Sequence, residues 1–344
     1  MTNPLALRHI ALPVVTAAVT AAVAATALAG CGSAASTSAS TSASTASSPA
    51  TSTASSPATS APAAAGSQFP VTVTASNGSV TIKAKPARIV SLAPTATEDL
   101  YAVGAGPQVV AVDQDSDYPA TAPVTKLSGL TPNIEAIAKY NPALVVASQN
   151  TGGLVSGLGK LGIPVLIEPA VANLNGAYQQ IDQIGQATGH LAQAQRTVAS
   201  MRAQIAATVK QAGSSHPDLT YYWELTANPY YSVTSSTFIG QIVGLFGLKN
   251  IADAAGNATN GGYPELSEEY IIKAGPQIIF LADNQAADGG QTPALVAKRP
   301  GWSVLPAVKD HEVIGLNDDI ASRWGPRLPQ LVAEIAQAVE QASK

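Results

Sequence analysis

From residue 173 to residue 211 the chain carries no strand signal, and this stretch interrupts an otherwise regular alternation of short apolar runs with helical segments. Apolar residues recur there at Ala177, Ile181 and Ile184, then at Leu191, Ala194, Val198, Met201, Ile205 and Val209. A spacing of three or four throughout is helical. Gly189 divides the stretch. At about 1.5 Å per residue the second piece, residues 191–212, extends roughly 33 Å. A helix of that length is suited to act as a strut between two halves of a molecule.

The flanking segments have a different rhythm. Before the stretch, strands are predicted at residues 88–92, 109–112, 144–147 and 164–167, and helices at 95–103, 134–140 and 154–161. After it, strands at 219–225, 277–282 and 312–316 alternate with helices at 237–246, 268–274, 292–298 and 327–342. Short apolar strands between helices imply mainly parallel sheets covered on both faces. Residues 71–74 and 79–83 flank Asn77-Gly78, a hairpin signal because both residues tolerate positive φ. Pro132-Asn-Ile-Glu135 and Glu265-Leu-Ser-Glu-Glu269 each open a short helix followed by a proline and an apolar strand. The fold class is therefore α/β: two lobes with mainly parallel central sheets, residues 69–172 and 214–344, joined by a long rigid helix within 173–213.

The residues ahead of the lobes belong to no ordinary globular domain. There is no Lys, Arg, Asp or Glu between Arg8 and Lys83, and no Phe, Tyr or Trp before Phe69. Arg8 followed by an apolar run over 10–28 reads as an export signal, residues 1–30. Leu28-Ala-Gly-Cys31 resembles the lipobox of bacterial lipoproteins. That resemblance implies cleavage before Cys31 and lipidation of its thiol, rather than a membrane-spanning helix. Each buried acyl CH2 contributes about 0.8 kcal/mol, so two or more chains anchor stably. Residues 33–65 are only Ser, Thr, Ala and Pro. Such a segment cannot bury enough apolar surface to offset its ordering entropy, so residues 31–68 read as a lipidated cysteine and a disordered tether. The expected location is the extracytoplasmic face of the cell membrane, held there by the lipid alone.

Composition narrows the chemistry. Lys+Arg of 18 against Asp+Glu of 22 gives a net charge of −4, which excludes a strongly basic nucleic-acid binder. One cysteine permits neither an intrachain disulfide nor a cysteine-based zinc cluster. His190, His216 and His311 lie in separate segments, so no multi-histidine metal site is expected. The chain has no Gly-x-Ser-x-Gly elbow, no His-Glu-x-x-His and no phosphate loop. A passive binding protein without a cofactor is the expectation. The alternatives are a cell-envelope hydrolase on the same scaffold and a non-transport surface module.

A set of ordered motifs sharpens this. They are Arg88-Ile-Val-Ser-Leu-Ala-Pro-Thr-Ala-Thr-Glu98 with Gly104-Ala-Gly106, Ser116-Asp-Tyr-Pro119, Asn133-Ile-Glu135, Leu161-Gly-Ile-Pro-Val165, Thr237-Phe-Ile-Gly240, and Arg299-Pro-Gly-Trp302. From about residue 88 to its end the chain resembles the solute-binding lipoproteins of ABC importers for iron-siderophore complexes and vitamin B12. The resemblance implies a helical-backbone (class III) periplasmic binding protein that acts as a monomer. Such a protein captures a metal chelate between its lobes and delivers it to a permease/ATPase complex. It also implies that Glu135 and Glu269, one per lobe, pair with permease arginines. On the residues alone, each reads equally as a first-turn glutamate favoured by its helix dipole.

Open α/β sheets bind ligands at the carboxyl ends of their strands. Those loops offer Thr95, Asp115, Tyr118 and Gln149 in the first lobe, and Trp223, Tyr230, Tyr231, Tyr263, Arg323 and Trp324 in the second. Aromatic rings with polar tips suit a large, partly apolar ligand, and an arginine suits an anionic or carbonyl-bearing edge. Within the strand at 221–223, one or two residues are expected in the core. Tyr230 and Tyr231 follow Pro229 and are expected in a loop. Ferric siderophore, corrinoid and haem all remain open as the ligand.

Overall fold

The computed structural model describes residues 69–255, 261–284 and 290–344. The export signal, Cys31 and the tether lie outside the described residues. Among the described residues no helix is long and apolar enough to cross a membrane.

The first lobe opens with an antiparallel hairpin, β1 (Val71–Ala75) and β2 (Gly78–Ile82). Its two-residue turn is Ser76-Asn77, one residue earlier than expected, and Gly78 takes the positive φ of 96°. The turn caps the edge of the neighbouring sheet. The Asn77 amide donates to the Val165 carbonyl at 3.0 Å and accepts from the Ile167 N–H at 3.1 Å. A side chain that mimics a strand partner satisfies edge groups that would otherwise invite another chain.

Then follow β3 (Ile89–Leu92), α1 (Pro94–Ala102), β4 (Val109–Val112), α2 (Ile134–Ala138), β5 (Leu144–Ala147), α3 (Leu154–Lys160) and β6 (Val165–Ile167). The four strands pair in parallel in the order β4-β3-β5-β6. Two helices come next, α4 (Leu174–Thr188) and α5 (Leu191–Ala212). Gly189 separates them in the left-handed conformation at φ 75°.

The second lobe contains β7 (Thr220–Glu224), β8 (Thr226–Ala227), β9 (Tyr230–Tyr231), α6 (Phe238–Gly244), β10 (Lys249–Asn250), β11 (Glu265–Leu266), α7 (Glu268–Ala274) and β12 (Ile278–Leu281). It closes with α8 (Pro293–Val296), α9 (Pro306–Lys309), β13 (Val313–Gly315), α10 (Asp318–Ser322) and α11 (Leu328–Ala342). Its parallel sheet runs β10-β7-β12-β13, the same chain-order topology as the first lobe. The sequence echo between the two halves is thus a repeat of architecture. β8, β9 and β11 form a small antiparallel sheet that the sequence reading missed. It makes Tyr230 and Tyr231 strand residues, not loop residues.

Both faces of each parallel sheet are covered, so alternate residues of one strand enter different cores. Leu144 and Val146 join one apolar cluster, Val145 and Ala147 another; Tyr221 and Trp223 likewise part from Tyr222. The largest cluster continues from the first sheet through α4 and α5 to α6, α11 and the second sheet. This shared core joins the two sheets through the helical connection.

The antiparallel pair α4–α5 packs closely. A Cβ added at Gly185 would sit 2.3 Å from the Ala194 Cβ. Alanine is a better helix former than glycine, but overpacking a tight crossing costs about 1–3 kcal/mol. Gly185→Ala is therefore expected to lower the thermal unfolding midpoint by several degrees, measured by circular dichroism. An unchanged or higher midpoint would show that the two helices separate freely.

Candidate functional site

The segment after α10 reaches from the second lobe to α1 of the first and to α4. Glu98, on α1, has a side chain with no exposed surface. Such a carboxylate persists only if it is paired and hydrogen-bonded. Its partners come from the second lobe. Arg323 Nη1 donates to Glu98 Oε1 at 2.8 Å, and Arg327 donates from Nε to Oε2 at 2.9 Å and from Nη2 to Oε1 at 2.6 Å. Arg323 also reaches Asp117 at 3.2 Å, the Asp115 carbonyl at 3.3 Å and Asp319 at 2.5 Å. The Arg327 guanidinium lies 4.3 Å from the centre of the Tyr118 ring. Beside this network, Trp324 Nε1 donates to Gln180 Oε1 at 2.8 Å, and the Gln180 amide donates to the Pro169 carbonyl at 2.7 Å.

Five of the expected cleft residues, Thr95, Asp115, Tyr118, Arg323 and Trp324, thus gather around this ionic latch and the adjacent floor. Arg323 is engaged with carboxylates in this conformation rather than free for a ligand edge. Gln149 is exposed beyond the end of β5. The sequence reading missed Glu98 and Gln180 as parts of the site.

The second-lobe aromatics are placed differently. Trp223, expected at the cleft, is fully buried, its ring 5.5 Å from that of Phe280. Its strand is central in a sheet covered on both sides, so the indole has no route to the surface here. Tyr230 pairs in register with buried Leu266 and turns inward, 5.6 Å from the Trp302 ring. Tyr231 alternates to the other face beside Thr226 and Glu265. Tyr263 is half-buried against the large core. Tyr230 and Trp302 flank Arg299, whose guanidinium lies 5.3 Å and 4.5 Å from the two ring centres. Arg299 makes a bidentate pair with buried Glu224 at 2.7 and 2.6 Å. This second buried ion pair holds the second lobe together internally.

Glu135 and Glu269 are both exposed, and each is the second residue of its helix, α2 and α7. Asn133 caps the first helix by accepting from the Ala136 N–H, and Ser267 caps the second by accepting from the Tyr270 N–H. α2 leads into β5 and α7 into β12, the equivalent strands of the two sheets. The Glu269 backbone N–H, and then Ser267, hold the Glu269 carboxyl below the usual range.

A model of the family described as periplasmic binding protein matches residues 89–320. The chain belongs to this family. Among its relatives is the uncharacterized ABC transporter substrate-binding lipoprotein YvrC of Bacillus subtilis, 32% identical over 79% of this chain and 86% of that protein. A cobalamin-binding protein of Halobacterium salinarum is 31% identical over 81% of this chain and 76% of its own length. Among solved structures, the periplasmic heme-binding protein RhuT of Roseiflexus sp. RS-1 in apo form is similar with a TM-score of 0.64 at 26% identity, covering 75% of this chain and 99% of that one. The periplasmic binding protein fold thus agrees with two parallel-sheet lobes on a helical spine.

Between the lobes, Pro94, Thr95, Ser148, Glu168, Gln180 and Trp324 enclose a cavity of about 70 Å3. Pockets for drug-sized molecules are about 300–1,000 Å3. The enclosed cavity in this conformation is well below that range.

Proposed function

We propose that this periplasmic binding protein is the extracytoplasmic receptor of an ABC importer, anchored through Cys31, and that its cargo is a corrinoid. The observation that carries the ligand class is the 31% identity to a cobalamin-binding protein across 81% of the chain. The aromatic groups at the cleft, Tyr118 and Trp324, suit a bulky, partly apolar ligand. The resemblance to a haem binder of known structure supports haem as the second reading.

Titration of intrinsic tryptophan fluorescence discriminates the two. Cobalamin is expected to give saturable quenching, with haem and a panel of ferric siderophores at least tenfold weaker. Tight saturation by haem without a cobalamin response would replace the corrinoid with a haem cargo. Turnover of any bound molecule would remove the receptor reading altogether.

A further inference from the structure

The small cavity at the cleft floor has a chemistry that the capture of a large chelate does not use. Two acids line it, Asp99 of α1 and Glu168, which follows β6. Asp99 is 2% exposed and Glu168 5% exposed. Asp99 Oδ1 and Glu168 Oε1 are both buried without any hydrogen-bond partner. Unpaired buried carboxylate oxygens are costly, and such groups in a native structure point to something that satisfies them. The nearby arginines do not serve. Arg323 and Arg327 already face three carboxylates, those of Glu98, Asp117 and Asp319. The positive charge at this end of the cleft is thereby more than balanced before Asp99 and Glu168 are counted.

We propose that this cavity binds a hard divalent cation of the calcium type, held by the carboxylates of Asp99 and Glu168 and roofed by Trp324. Thr95 and Ser148 line the same cavity and bring hydroxyl oxygens. Hard cations take oxygen ligands, and calcium accepts six to eight in flexible geometry with waters completing the shell. A volume of about 70 Å3 admits a bare ion with a few waters. Two carboxylates match the charge of one divalent ion. Among the described residues no group of three or more His, Cys, Asp or Glu forms a metal cage, so the site is an open set of two acids and neutral oxygens. Burial, then the neighbouring charges of Glu98 and Glu168, push the Asp99 carboxyl well up; burial pushes Glu168 up to about 8. Because Trp324 is donated by the second lobe, an ion beneath it favours the closed arrangement. The site is independent of which chelate the cleft carries.

The test uses the full chain in detergent, freed of metal by chelation, with terbium(III) as the probe. Trp324 lies against the cavity and sensitises bound terbium, so excitation of tryptophan is expected to give terbium luminescence that calcium displaces. Calcium is also expected to raise the thermal midpoint of the parent in a concentration-dependent way. Asp99→Asn and Glu168→Gln should each weaken calcium binding at least tenfold, and the double variant should abolish it. Without calcium the double variant should be at least as stable as the parent, because it removes like charge; this confirms that it folds. Trp324→Phe, which keeps both acids, should lose the luminescence. No calcium response in the parent, or luminescence unchanged in the double variant and so arising from surface acids such as Asp115, would overturn the proposal.

Discussion

Ligand uptake should fall at least about tenfold when Glu135 and Glu269 are both changed to alanine, while ligand capture stays unchanged. Both carboxylates are exposed and sit on α2 and α7, apart from the residues of the latch and the cleft floor. Exposed charges at an interface act mainly on encounter rate and register, so either single change should give an intermediate loss. Raising the ionic strength should mimic the substitutions, because screening falls within about 8 Å at physiological salt. Glu269 should keep its charge as the medium becomes moderately acidic, since its own backbone N–H and Ser267 stabilise the carboxylate. The measurement pairs transport of labelled cobalamin into permease-bearing vesicles with the fluorescence titration. Undiminished transport by the double variant would remove the docking role, and a parallel loss of binding would show damage to the cleft instead.

Some of this architecture is written locally and some is not. The bounds of α5 follow from apolar residues at helical spacing between Gly189 and Gly213, all signals within one turn of where they act. The parallel strands are legible because burial on both faces makes Leu144–Ala147 and Ile278–Leu281 continuous apolar runs. The small sheet is not legible. β8, β9 and β11 are each two residues long, and β9 is held between β8 and the distant pair Glu265 and Leu266. Tyr230 therefore reads as a loop aromatic although its ring serves a core. Trp223 misleads for the opposite reason, since a tryptophan at a strand's carboxyl end looks like a ligand platform until the covering layers are known. Glu98 carries the least local signal of all. Within Ala-Thr-Glu-Asp it resembles the polar face of a short helix, and its partners Arg323 and Arg327 lie 225 and 229 residues away.

That long-range pairing makes Glu98→Gln the substitution with the largest expected structural effect. Glutamine keeps the volume but removes the charge that two arginines, 10% and 12% exposed, share in the closed arrangement. Removing one member of a buried ion pair costs about 3–5 kcal/mol, because the remaining charges stay desolvated. In a single-lobed protein the fold would bear that whole cost. Here Arg323 and Arg327 enter from the second lobe, so parting the lobes returns both guanidiniums to water. The penalty should therefore fall mainly on the closed state. At about 1.4 kcal/mol per tenfold, a loss of roughly 3 kcal/mol shifts the closed-to-open ratio about a hundredfold. Small-angle scattering should accordingly show a larger radius of gyration for Glu98→Gln than for the parent, with a thermal midpoint lowered by only a few degrees. A midpoint depressed far more, at unchanged radius, would mean that the spine does not let the lobes part and that Glu98 holds the fold itself. With both radius and midpoint unmoved, Asp117 and Asp319 would have to be sufficient partners for the two arginines, and the latch would not depend on the carboxylate at its centre.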